Sequence, residues 1–272
     1  MDDMMLLAQL AGLLLVVGAF AGVLAGLFGV GGGIVLVPAF FYVFGQLGYD
    51  SPELMQVCLG TSLATIIVTS LRSVGTHHKK GAVGWSILKS WGPGIAAGAV
   101  VGVLVATSLR SGTLQVIFGV LAVIVGAYIT FGRERWRLGA QMPGGALRAV
   151  ISPVIGFLSV LAGIGGGSFG VPTMTLFGVP IHRAVATAAG FGVIIAVPSV
   201  IGFLFVDIAV APPFTVGAVN FLAFGLIVAM TLITAPWGAA LAHRMDAKPL
   251  KRFFGVFLIL VALNMLRKAL GW

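Results

Sequence analysis

Charge is scarce in this chain. Only 8% of its 272 residues are Asp, Glu, Lys or Arg, against 59% hydrophobic. Soluble proteins carry about a quarter charged residues, so a water-soluble globule is excluded. Polar stretches long enough to enclose a core of their own are also missing, which excludes a separate soluble domain. There is one cysteine, Cys58, so neither an internal disulfide nor a cysteine-based metal cluster can form. The seven acids are Asp2, Asp3, Asp50, Glu53, Glu134, Asp207 and Asp246, and none sits well inside an apolar stretch. The four histidines lie near the ends of such stretches. No metal-ligating or catalytic acid–base constellation is evident, and no cofactor motif.

Long hydrophobic runs fill the space that charge leaves. Ten apolar segments follow one another, at 5–27, 34–44, 54–70, 85–107, 114–131, 149–161, 169–181, 184–205, 216–241 and 253–266. Runs of this kind predict an all-α polytopic membrane protein. The acidic start Met1-Asp2-Asp3 is unlike the basic opening of a signal peptide, and the first run is long enough to remain a membrane helix. The net charge of +9 is distributed between the apolar runs, as topogenic charge is, rather than gathered for nucleic acid.

One phrase occurs twice. Gly29-Val30-Gly31-Gly32-Gly33 runs on to Val37-Pro38, and Gly163-Ile164-Gly165-Gly166-Gly167 runs on to Val171-Pro172. Gly81-Ala82-Val83 recurs as Gly217-Ala218-Val219 at nearly the same offset, and Leu114, Phe118, Gly119 and Val120 recur as Leu250, Phe254, Gly255 and Val256. Thr61 pairs with Thr187 only if a gap is allowed. The chain thus divides into a first transmembrane repeat at 1–131, a basic cytoplasmic linker at 132–148 and a second repeat at 149–272. Five crossings per repeat make the halves antiparallel, and the loop charges agree. The loop after segment three holds Arg72, Lys79 and Lys80, whereas its counterpart around Asp207 has no basic residue. The loop after segment two is acidic, and its counterpart carries His182 and Arg183. Such reversal is what inverted repeats require under the positive-inside rule. With the N-terminus outside, all of the 16 Lys and Arg except Lys89, Arg110, Arg267 and Lys268 fall in cytoplasmic loops.

Segments two and seven are short for a full crossing. At 1.5 Å per residue they cover roughly 17–20 Å, against a hydrocarbon core of about 30 Å. Non-helical backbone at that depth is tolerated only inside protein or facing a cavity. Either the two segments are tilted half-crossings, or the glycine loops dip into the membrane; loops entering from opposite faces would converge near the midplane. Each loop is followed by a helix start, at Ile34 and Ser168, whose unpaired N–H groups and positive dipole end suit a small anion. Glycine permits the close backbone approach that such binding needs. Thr61, Ser62, Thr65, Ser168, Thr187 and Ser199 lie nearby in sequence and offer hydroxyl donors, although a membrane Ser or Thr usually bonds its own helix. Gly94, Gly98 and Gly102, at four-residue spacing, read as helix packing. Asn220 and Asn264 read as helix–helix hydrogen-bonding residues. The string Gly166-Gly167-Ser168-Phe169-Gly170 fits the hydrolase elbow, but that elbow needs a strand before it and a histidine base beside it. Ser168 instead opens a membrane helix, so no catalytic residue is assigned and an enzyme is not expected.

The doubled glycine phrase, with Gly60-Thr61-Ser62 downstream, resembles the TauE/SafE family of membrane permeases. Length, halves and basic linker are similar along nearly the whole chain. The resemblance implies a secondary transporter of a small oxyanion, exporting sulfite or a sulfonate or other organosulfur anion by alternating access. It implicates Gly29, Gly31, Gly32 and Gly33 with Pro38, Gly163, Gly165, Gly166 and Gly167 with Pro172, and Thr61 with Ser62. Ser168 and Thr187 join them from the residue reading. Ala186-Thr187-Ala188 departs from Gly-Thr-Ser, so the second half lacks a match for Ser62. A gated anion channel and a proton-coupled importer remain open as alternatives. The expected setting is the bacterial inner membrane, with the lipid bilayer and the anion as partners, no nucleic acid, no cofactor, and a homo-oligomer left open.

Overall fold

A computed structural model describes residues 2–28, 33–132, 136–242 and 247–271. These form ten α-helices, one for each apolar segment. In chain order they are α1 (Asp2–Phe28), α2 (Gly33–Gln46), α3 (Leu54–Lys79), α4 (Trp85–Ser108), α5 (Ser111–Phe131), α6 (Gly145–Leu161), α7 (Gly167–Leu176), α8 (Ile181–Phe203), α9 (Phe221–Ala242) and α10 (Ala247–Ala269). A two-stranded hairpin, β1 (Thr215–Val216) against β2 (Val219–Asn220), sits between α8 and α9. Six of the helices contain stretches long and apolar enough to cross a membrane, in α1, α3, α4, α5, α8 and α9.

The helices depart from the apolar segments for local reasons. α3 continues past the apolar stretch to Lys79, with Leu71 and Arg72 already exposed. Its last turn carries His77, His78 and Lys79, a favourable placement at the negative end of a helix. α9 starts at Phe221, later than expected, because Asn220 caps it: the Ala223 N–H donates to Asn220 Oδ1 at 2.7 Å. Asn220 is therefore a cap, not the helix–helix residue its composition suggested. Asn264 does bond between helices, its amide donating to the Tyr42 hydroxyl at 2.7 Å.

α2 and α7 are short, at 14 and 10 residues. At 1.5 Å per residue they span about 21 and 15 Å, so neither crosses a core of about 30 Å alone. Both end in the same turn. Gly48 N–H bonds Gly45 O and Tyr49 N–H bonds Phe44 O; Gly178 N–H bonds Thr175 O and Val179 N–H bonds Met174 O. This Schellman pattern satisfies the last carbonyls and stops the helix. Pro38 and Pro172 each stand sixth in their helix, and each withholds the N–H that Ile34 O or Ser168 O would otherwise accept.

α3 is the most buried of the membrane-length helices and α8 the next, while α1 and α9 are the least. The remaining helices pack around this central pair. α1 lies on α9, α4 on α6, and α5 on α10; α3 also touches α9, and α4 touches α8. α2 packs on α3 and α7 on α8. Exchanging α1–α5 for α6–α10 returns these main pairs, whereas lesser contacts such as α3 with α5 and α6 with α8 are not matched to the same degree. Small residues set the closest contacts, as expected where lipid supplies no hydrophobic drive between helices. Gly98 of α4 faces the Pro153 backbone of α6, and Gly156 of α6 faces the Ile95 carbonyl of α4, which agrees with the packing role read for the Gly94, Gly98 and Gly102 stripe.

The chain before α3 is joined to the turn between α4 and α5. Ser111 N–H donates to Pro52 O at 2.7 Å, Met55 N–H to Ser111 Oγ at 3.1 Å, and the Gln56 amide to Leu109 O. Around this joint Ser51 Oγ, Glu53 Oε2, Gln56 Oε1 and Gln115 Nε2 are buried without a partner among the described residues. The linker is tied to the end of α7, where Leu138 N–H donates to Leu176 O at 2.7 Å.

Candidate functional site

The second glycine loop is a helix end followed at once by a helix start. α6 stops when Gly163 enters the left-handed region, φ +58°, which a residue with a side chain adopts at a cost. Gly163 N–H then bonds Val160 O and Ile164 N–H bonds Ser159 O, both at 2.9 Å. Ile164, Gly165 and Gly166 cross the gap, and α7 begins at Gly167, one residue before the expected start. In the first half α2 likewise begins one residue early, at Gly33. Gly29, Gly31 and Gly32 lie outside the described residues.

Gly33, the first residue of α2, and the second glycine loop come together at Ser62. Its hydroxyl, fully buried, donates to Gly163 O at 2.7 Å, and Gly33 O lies 3.4 Å away. A Cβ placed on Gly33 would stand 3.2 Å from Gly163 O and 3.4 Å from Ile164 Cα. The first residue of α2 thus lies so close to the loop before α7 that a side chain there would press on it, with α3 supplying the hydroxyl between them. The glycines differ in what they make room for. A Cβ on Gly166 would meet Ala188 O at 2.6 Å and Gly192 N at 2.9 Å, so Gly166 exists to let α7 lie against the α8 backbone. A Cβ on Gly163 would meet Val37 and Leu59 at 2.6 and 2.7 Å. Gly165 is roomier, its nearest neighbour Ile66 Cγ2 at 3.3 Å.

Thr61 and Thr187 make matched contacts across the halves. Thr61 Oγ1 accepts Asn220 N–H at 2.9 Å, and Thr187 Oγ1 accepts Gly84 N–H at 2.9 Å. Asn220 and Gly84 each follow one copy of the Gly-Ala-Val phrase. Each threonine therefore receives the amide that closes the other half's phrase. Thr187 also donates to Arg183 O at 2.7 Å. Of the other hydroxyls, Thr65 donates to Ser62 O and Ser199 to Ile195 O. Ser168, 6% exposed, bonds no described residue and lines a cavity of about 270 Å³ between α5, α6 and α7. Tyr128 and Thr173 share that cavity, and its walls are otherwise apolar.

Three features had no clear signal in the sequence. Gly84 and Asn220 contribute through backbone N–H groups, visible beforehand only as neighbours of a repeated phrase. Ser159, fully buried and unpartnered among the described residues, looked like any membrane serine. The joint around Ser51, Glu53 and Gln56 lay in a loop read only for its charge. Among the described residues no three His, Cys, Asp or Glu side chains gather as a metal ion would require. Asp50 and Asp207 are exposed, and Glu53 is half-buried in the joint.

Residues 14–265 match the family model described as sulfite exporter TauE/SafE. A probable membrane transporter protein of Haemophilus influenzae is 32% identical over 94% of this chain and 98% of its own length. YunE of Bacillus subtilis, also named a probable membrane transporter protein, is 29% identical over 93% of this chain and 96% of its own. A third protein of that description, from Methanocaldococcus jannaschii, is 28% identical over 71% of this chain and 72% of its own. No solved structure matches. The apolar helices, the paired glycine phrases and a family match spanning almost the whole chain agree, and the chain belongs to the TauE/SafE family as a multi-pass membrane transport protein.

Proposed function

We propose that the chain exports a small oxyanion, sulfite or a sulfonate or other organosulfur anion, by alternating access between two inverted halves in a bacterial inner membrane, with its N-terminus outside. The reading is carried by the matched pair of contacts, Thr61 with Asn220 N–H and Thr187 with Gly84 N–H. A two-fold relation between halves predicts such reciprocity, and the exchangeable helix pairs support it. The substrate site of this reading is the meeting of the glycine loops: Gly29, Gly31, Gly32, Gly33 and Gly163, Gly165, Gly166, Gly167 with Ser168, framed by Thr61, Ser62 and Thr187. The N–H groups at the start of α7 attract an anion, and the absence of a carboxylate among the residues that frame the loops leaves that attraction unopposed.

Burial favours a carrier resting in one state. Met55, Gln56 and Val57, at the start of α3, are at most 2% exposed. Their counterparts at the start of α8 are Ile181, 43% exposed, with His182 and Arg183 also exposed. In this reading the two helix starts are equivalent ends, one buried and the other exposed, which is consistent with a carrier closed on one face. Flux in reconstituted vesicles loaded with sulfite, sulfate, methanesulfonate or thiosulfate tests the substrate. Saturable flux of sulfite or the sulfonate without unitary currents supports the carrier; unitary currents would establish the channel instead.

A further inference from the structure

Many hydroxyls in these helices bond a carbonyl of their own helix, and Ser159, beside the glycine loop, bonds none among the described residues. Ser152, Thr173, Thr187, Ser199 and Thr234 each donate to the carbonyl four residues back, at 2.7–2.8 Å, the default for a hydroxyl in a membrane helix. Ser159, in the last turn of α6, does not. Its oxygen is buried and has no partner among the described residues, and the residue is 0% exposed.

Its position makes the exception sharper. Ser159 provides the carbonyl that accepts Ile164 N–H in the turn ending α6. The side chain at that point of a Schellman turn ordinarily makes an apolar contact. The matching positions in the turns ending α2 and α7 are Phe44 and Met174, both apolar and fully buried. The turn ending α3 has His77 there, at the polar end of a helix. Ser159 thus places a polar group where local stability favours a hydrocarbon, and leaves it unpaired. A buried hydroxyl without a partner opposes folding, and such a local conflict is characteristic of functional sites. Beyond the glycines stands Ser168, also without a described partner and more than nine-tenths buried. Ser62, Thr187 and Ser199 have already committed their hydroxyl hydrogens to carbonyls.

We propose that Ser159 is a substrate-binding residue whose hydroxyl donates to an oxygen of the carried oxyanion at the loop between α6 and α7. This rests on the transport reading above and names a donor that reading does not contain. An oxyanion fits this reading: the unpartnered hydroxyl stands in the turn that leads through Gly163 to the start of α7, and a helix N-terminus favours negative charge.

The test uses purified full-length protein, with sulfite and methanesulfonate as probes. Wild type, Ser159→Ala and Ser199→Ala are compared by thermal unfolding in detergent with and without each anion, and by flux in vesicles. Removing an orphaned buried hydroxyl should raise the melting temperature of Ser159→Ala without anion. The anion-induced rise in melting temperature should be lost in this variant, and its KM should increase about tenfold or more, the usual scale of a hydrogen bond to a charged group. Ser199→Ala should keep both the anion response and KM. A Ser159→Ala protein with KM and anion response within twofold of wild type would overturn the proposal while leaving the transport reading intact. If wild type neither binds nor moves either anion, the transport reading fails and the proposal falls with it.

Discussion

Replacing Thr61 or Thr187 by Val removes one oxygen while keeping the branched shape. In each case a backbone N–H loses its acceptor: Asn220 N–H in the first, Gly84 N–H in the second, both buried and both at 2.9 Å in the native protein. A buried donor left unpaired costs about 1–3 kcal/mol, against a loss of a few tenths for a surface hydroxyl. The two losses should be comparable, because the two contacts are counterparts. Thr187→Val should be the larger by the bond it also gives to Arg183 O. Serine at either position keeps the acceptor and should recover most of the stability. The assay is equilibrium unfolding in detergent or bicelles, with Thr→Ser beside Thr→Val at each site. Both valine variants within about 0.3 kcal/mol of wild type would refute the reasoning, because a donor that can be orphaned without effect is not a structural contact.

Gly166→Ala should destabilise the protein by about 1–3 kcal/mol as an overpacked contact, because its methyl meets α8 backbone, while Gly165→Ala, with 3.3 Å to its nearest neighbour, should fold normally; melting temperatures of the pair decide this, and equal losses would contradict the assigned contacts. Pro52→Cys with Ser111→Cys in a Cys58→Ala background should lose flux on oxidation and regain it on reduction, because under the proposed alternating access the joint between the chain before α3 and the start of α5 parts when that face opens; flux indifferent to a confirmed cross-link would show that the joint stays closed throughout the cycle. Single cysteines at Lys80 and Arg135 should react with membrane-impermeant reagents only from the cytoplasmic side, and one at Glu53 only from outside; labelling of the Lys80 position from outside would reverse the orientation.

Much of the architecture could be read from hydrophobic pattern. Ten apolar segments become ten helices, and the shortness of segments two and seven reappears in α2 and α7. Helix ends were less legible, since they depend on groups other than apolar side chains. α3 runs on to Lys79 because a helix need not stop where hydrocarbon stops, and α7 stops at Leu176 because Gly178 turns the chain. The candidate site was drawn as a place from the doubled glycines, and the contacts around it were not legible. Thr61 and Asn220 are 159 residues apart, and Gly84 and Thr187 are 103 apart; no local pattern announces bonds at such range. The glycines look alike in sequence, yet Gly166 makes room for α8 while Gly165 does not, a distinction set by the neighbouring helix alone. Ser159 was passed over for the same reason, because the missing partner of a hydroxyl is visible only once its surroundings are.

The most direct test of the central claim is anion flux through the purified protein in vesicles whose potential is clamped with potassium and valinomycin, at equal pH on both sides. Outward movement of a monovalent anion gains about 2.3 kcal/mol per 100 mV from an interior-negative potential, and a divalent anion about twice that. The account predicts saturable sulfite or sulfonate efflux that accelerates as the interior is made more negative. Efflux that ignores the potential and follows an imposed proton gradient would contradict potential-driven export, and no flux of any tested oxyanion would contradict the function itself.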